Sequence, residues 1–170
     1  MLVSGGMPDT DEAVNPGGAV VWGSREKLAV RRNAGNCNEP FRVLLAEDNP
    51  LDQLGIRRLL EKQGLAVTLA PDGRAAVSAF ETGTFELVLL DILMPEMDGF
   101  EVAARIRALE EPRGTHIPIF ALTAYALKAV YDKCRSVGMD GYLSKPVAGD
   151  DLKKLCEFLA MNSVPAPPQP

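Results

Sequence analysis

"ELVLLDILMPEMDG", residues 86–99, runs apolar from 87 to 90, meets one acid at Asp91 and breaks at Pro95. An apolar run this short, with no polar alternation, reads as a strand buried on both faces. Ending it on a carboxylate is costly unless the acid lies at the rim of the core and has a partner. A cap, a salt bridge or chemistry would each explain Asp91, and its neighbours in space decide among them.

Outward from that run, "RVLLAE" (42–47), "AVTLA" (66–70), "IPIFALT" (117–123) and "GYLSK" (141–145) are further strand candidates. Helical stripes fall between them. Asn49 and Pro50 supply an N-cap and a first-turn proline, Ile56, Leu59 and Leu60 line one face, and Gly64 ends the helix. Ala76, Val77 and Phe80 form a second stripe, and Val102, Ile106 and Leu109 a third. Leu127, Val130, Tyr131, Cys134 and Val137 form a fourth. Leu152, Leu155, Cys156 and Leu159 form the fifth, opened by Asp150 and Asp151. Strands alternating with helices predict an α/β fold: a five-stranded, doubly wound parallel sheet with right-handed crossovers and helices on both faces.

This dense part spans 41–161. Residues 1–40 are rich in Gly, Asn and charge and are read as a leader or linker without fixed structure; only "AVVWGSREKLAV" (19–30) offers a short helical pattern. Residues 162–170 read as an extended Pro-rich tail, so no output domain is expected after the dense part. "MDG" occurs at 97–99 and 139–141 without matching surroundings, so there is no internal repeat.

A net charge of −5 argues against sequence-independent nucleic-acid binding, which needs clustered positive charge. No apolar run reaches the roughly 18 residues of a membrane span, and the N-terminus lacks the pattern of a secretory signal. The three cysteines, Cys37, Cys134 and Cys156, have no metal-ligand spacing and suggest no disulfide framework. A cytoplasmic, reducing setting is the expectation.

The polar residues then fall into place. Glu47 and Asp48 close the first strand, Asp91 the third, Thr123 the fourth and Lys145 the fifth. In an open parallel sheet the ligand site lies beyond the carboxyl ends of the strands, at the switch point. Three carboxylates there repel one another, and a hard divalent cation, Mg²⁺ or Mn²⁺, relieves the conflict. A carboxylate beside such an ion, a lysine and a hydroxyl has the parts of a phosphoryl-transfer site, with Asp91 as nucleophile and Glu47 and Asp48 as metal anchors. Plainer roles exist for each: Asp91 as a helix cap, Glu47 and Asp48 as acids favouring a helix N-terminus, Lys145 as a structural ion-pair partner. Pro95 and Gly99 need only backbone reasons.

"LLAEDNP", "LLDILMPEMDGFE", "ALTA" and "GMDGYLSKP" resemble, in order, the four signatures of response-regulator receiver domains, and the wording is most similar to receivers attached to hybrid histidine kinases. The resemblance implies a flavodoxin-like strand order 2-1-3-4-5. It implies phosphorylation of Asp91, with metal held by Asp48, Asp91 and the backbone carbonyl of Leu93, and by Glu47 through water. It further implies that Thr123 and Lys145 contact the acyl phosphate, that Lys145–Pro146 is often cis, and that the switch residues are Thr123 and the aromatic Tyr142, on the edge strand near helix four. The partners implied are a sensor histidine kinase or a histidine phosphotransfer protein, with effectors on the face of helix four, strand five and helix five.

His116, the single histidine, lies in a loop, so the chain is not expected to be its own phosphodonor. Leu93 and Tyr125, each two residues past a site residue, border the path of a hydrolytic water and predict slow dephosphorylation. Leu93 also counts against a phosphohydrolase with turnover, which usually carries an acid there. Asp52 stands where similar receivers often carry Asn. The alternative reading is an unphosphorylated scaffold, whose hallmark would be loss of a pocket residue; none is lost.

Overall fold

The computed structural model describes residues 19–21, 31–32, 40–125, 127–161 and 164–165. In chain order the elements are β1 (Ala19–Val21), β2 (Arg31–Arg32), β3 (Arg42–Ala46), α1 (Pro50–Lys62), β4 (Ala66–Ala70), α2 (Gly73–Thr82) and β5 (Leu87–Asp91). There follow α3 (Gly99–Glu110), a 3₁₀ turn (Glu111–Arg113), β6 (Ile119–Thr123), α4 (Lys128–Ser136), β7 (Gly141–Ser144), α5 (Gly149–Met161) and β8 (Val164–Pro165).

Each of the five strand candidates forms a strand, and they pair in the order β4-β3-β5-β6-β7, all parallel. Counting only these five, that is 2-1-3-4-5. The order reverses between β3 and β5, which places a crevice at their carboxyl ends.

Successive side chains of a strand point to opposite faces, and the core divides accordingly. Leu44, Ala46, Val88 and Leu90 pack with Phe80, Val102, Ile106 and Cys134, so α2, α3 and α4 cover one face. Val43, Leu45, Leu87 and Leu89 pack with Ile56, Leu60, Leu152 and Leu155, so α1 and α5 cover the other. Every residue of β5 and β6 is buried. Truncating Leu89, fully buried at the centre, to Ala would cost about 2–5 kcal/mol.

Capping follows the sequence closely. The Asn49 side chain accepts from the N–H groups of Leu51 and Asp52, Asp72 from Ala75, and Asp98 from Glu101. Gly64 takes φ 81° just past α1, a conformation that a Cβ disfavours.

Two expectations change. Leu127 does not join the fourth stripe: it is the N-cap of α4 and is exposed. Within the segment read as leader or linker, Ala19–Val21 pairs antiparallel with β7, and Arg31–Arg32 pairs parallel with Val164–Pro165. The 19–30 pattern is therefore not a helix at its start. Pairing with β7 satisfies backbone groups that an edge strand leaves open, a gain invisible in local periodicity. Cys37 and Trp22 lie outside the described residues.

Candidate functional site

β3, β5, β6 and β7 end together, and their last residues with the loops that follow line a cavity of about 230 Å³. Glu47, Asp48, Asn49, Asp52, Asp91, Leu93, Thr123, Tyr125 and Lys145 are among its walls. Of the residues expected to hold the metal, take the phosphoryl group or switch, Tyr142 alone lies away from it. Its ring stacks on Tyr131 at 4.3 Å between centroids, beneath α4.

Asp91 is brought to the rim by β5 and held there by the turn behind it. The Leu93 N–H donates to Asp91 Oδ1 at 3.3 Å, and Gly99 N–H donates to the Ile92 carbonyl at 3.0 Å. A Cβ on Gly99 would strike the Asp91 carbonyl oxygen, so the glycine of "MDG" lets α3 start against the site. Glu47 is fully buried. Its Oε1 accepts from Asn49 N–H at 3.2 Å, and its main-chain carbonyl accepts from the Gln53 amide at 2.5 Å. Gln53 escaped the sequence reading, because a polar residue on an amphipathic helix carries no signal of what it reaches.

Lys145 Nζ is the cation of this cavity among the described residues. It lies 2.6 Å from Glu47 Oε2, 3.4 Å from Asp91 Oδ1 and 3.6 Å from Asp52 Oδ2. The lysine is thus closer to Glu47 than to the expected acceptor. Burial works against its charge, but the Glu47 hydrogen bond and the carboxylates of Asp91, Glu47 and Asp52 outweigh it and hold its pKa above the ordinary value. Thr123 is turned into its own loop: its hydroxyl donates to the Tyr125 carbonyl at 3.1 Å and accepts from the Tyr125 N–H at 3.0 Å. The Lys145–Pro146 peptide is cis.

One lysine does not balance this many acids. Burial first, and the charge of Glu47 second, push the Asp91 carboxyl up to about 7 against the pull of Lys145. Carboxylate oxygens of Glu47, Asp48 and Asp91 lie within 4.8 Å of one another, with Asp48 exposed to solvent. Hard oxygen donors, a charge deficit and one open side are the chemistry that a divalent cation such as Mg²⁺ or Mn²⁺ would take.

A family model described as the response regulator receiver domain matches residues 43–157. The chain belongs to the receiver family. It is 42% identical over 115 residues to the sensor histidine kinase GacS of Pseudomonas protegens, covering 67% of this chain and 12% of that one. The chain spans between 8% and 13% of the length of hybrid and sensor kinases such as these. Among solved structures, the receiver domain of a sensor histidine kinase from Pseudomonas aeruginosa PAO1, with a magnesium ion coordinated in its active-site cleft, is 36% identical at a TM-score of 0.65, covering 72% and 99% of the two chains. The receiver domain of Ssk1 from Saccharomyces cerevisiae, co-crystallised with the histidine phosphotransfer protein Ypd1, is 30% identical at a TM-score of 0.68, covering 74% and 92%. This receiver therefore shares its fold with partners of two-component phosphorelays. Among its described residues no helix is long and apolar enough to cross a membrane.

Proposed function

We propose that this receiver accepts a phosphoryl group on Asp91. The observation that carries the reading is the placement of Asp91 at the rim, 3.4 Å from Lys145 and beside Glu47, with a hydroxyl and an open cavity on the same side. An Asp91 oxygen attacks phosphorus in line while the bond from phosphorus to the donor's leaving group breaks; that group departs as acetate from acetyl phosphate, or as a neutral imidazole after protonation from a phosphohistidine. The new mixed anhydride then presents a dianionic phosphoryl group to the cavity.

Glu47, Asp48, Asp91 and the Leu93 carbonyl are the groups that would hold Mg²⁺ or Mn²⁺. The ion, when bound, supplies positive charge that offsets the crowded carboxylates and the incoming phosphoryl oxygens. Lys145 leaves Glu47 for a phosphoryl oxygen, a short move because it already lies between the two carboxylates. Thr123 gives up its donation to the Tyr125 carbonyl and donates to phosphate instead. That exchange frees the 123–125 turn and biases Tyr142 and the face of α4, β7 and α5, a shift between two states driven by added negative charge. Residues 41–161 form the receiver unit, with 1–40 and 162–170 as its flanks. The phosphodonor is a sensor histidine kinase or a histidine phosphotransfer protein in the cytoplasm. His116, in the loop before β6 with its Nε2 2.7 Å from Asp140 Oδ1, lies at the opposite end of the sheet from Asp91 and is not read as its phosphodonor.

The test is intact-mass spectrometry after incubation with Mg²⁺ and acetyl phosphate or phosphoramidate, beside Asp91→Ala. A single phosphate-sized adduct that needs the ion and vanishes in the variant supports the reading. No adduct with either donor overturns it in favour of an unphosphorylated interaction scaffold.

A further inference from the structure

Asp52 occupies the third position of α1, where its N–H is capped by Asn49. An acid in a first turn is commonplace, because it meets the positive end of the helix dipole. This one does more, because Oδ2 reaches across the cavity mouth to 3.6 Å from Lys145 Nζ. Asp52 is 49% exposed, whereas Asp91 and Glu47, the other carboxylates on the lysine, are 8% and 1% exposed. It stands outside the trio whose oxygens converge as a metal site. It lines both the acid cavity and the adjoining groove walled by Leu51, Gly55, Leu59, Pro146 and Val147. A donor entering between α1 and the loop after β7 therefore passes a half-exposed acid that shares its one cation, Lys145, with two closer carboxylates.

The geometry points to Asp52 as a charge gate that selects phosphodonors: its carboxylate at the mouth disfavours small dianionic donors over donors of lower net charge. The inference rests on the phosphoacceptor reading and adds a specificity-determining residue to it. Coulomb repulsion at an exposed mouth is weak per unit charge, yet it scales with the donor's charge. Acetyl phosphate meets it as a dianion at neutral pH. Phosphoramidate carries a protonated amine as its leaving group and has a smaller net charge. An isosteric Asp52→Asn removes the repulsion while keeping size and helix geometry.

The experiment measures the rate of adduct formation by intact mass, at subsaturating donor and saturating Mg²⁺, for the native chain, Asp52→Asn and Asp52→Glu. The expected result is that Asp52→Asn speeds acetyl phosphate about tenfold and phosphoramidate about threefold. Asp52→Glu keeps the native donor ratio, and the difference between donors shrinks in about 0.5 M salt, where screening acts over a few ångströms. An equal change for both donors, no change, or a gap indifferent to salt overturns the gate and leaves Asp52 a first-turn acid. Adducts that form at an unaltered donor ratio defeat the gate alone, whereas no adduct in any variant defeats the phosphoacceptor reading beneath it.

Discussion

Two ionic clusters lie at opposite ends of the same sheet, built from the same kinds of side chain and finished differently. At the amino ends of β6 and β7, Arg107 reaches from α3 to Asp140 Oδ2 at 2.7 Å, to Glu110, and to the carbonyls of Gly138 and Ile117, each at 2.9 Å. Asp140 also accepts from Ile119 N–H at 2.9 Å and faces His116, while Glu110 accepts from Ile117 N–H at 2.5 Å. Each acid there has its cation and its main-chain donors. At the carboxyl ends, Glu47, Asp52 and Asp91 share Lys145, with Asp48 nearby. A cluster with every group satisfied locks strands to helices; one short of positive charge is poised to take a cation and a charged ligand.

The sharpest way to break the comparison is to remove one acid from each end. Asp140→Ala takes one of two carboxylates from the half-buried Arg107 and leaves the buried Ile119 N–H without its acceptor, and is expected to cost about 2–4 kcal/mol, read as a lower midpoint in urea. Asp91→Asn should move the other way, stabilising the metal-free chain by about 1–3 kcal/mol because it discharges a buried carboxyl beside Glu47. If both variants lose stability alike, the two ends are not different in kind.

A titration sharpens the same contrast. The Asp91 carboxyl sits near 7 when folded against an ordinary value of 3.8, so the folded chain keeps a proton that the unfolded chain has lost. That contribution is complete below pH about 4 and is lost as pH rises through about 7. Thermal melts in chelator should therefore show stability falling over that interval. Asp91→Asn should flatten that fall, and excess Mg²⁺ should lift the high-pH end.

The smallest effect concerns the mouth of the cavity. Leu93 and Tyr125 are 65% and 57% exposed and line the cavity with Asp91. Tyr125→Ala should shorten the acyl-phosphate lifetime by about threefold, roughly 0.7 kcal/mol of barrier. A native lifetime of seconds would show that these side chains obstruct nothing.

The five parallel strands and the helices between them were legible because their signals are local. Periodicity separates a strand buried on both faces from an amphipathic helix, and Asn49 and Gly64 mark the ends of α1 by backbone chemistry alone. Strand ends in a parallel sheet share one edge, so the grouping of Glu47, Asp48, Asp91, Thr123 and Lys145 also followed from order along the chain. Their pairing did not. That Lys145 rests nearest Glu47, that Thr123 bonds back to Tyr125, and that Gln53 anchors Glu47 depend on distances between elements, which no single segment encodes. Arg107 drew no notice in the sequence, since a charged residue on a helix is usually solvated, and its partners lie as far as 33 positions away. The strand at Ala19–Val21 is the extreme case: three residues read as the start of a helical pattern pair as a strand because the edge of β7 offers hydrogen bonds. Local chemistry determined the elements and the edge at which the acids gather; the competition of many acids for one lysine was decided only when long-range packing set them within reach of one another.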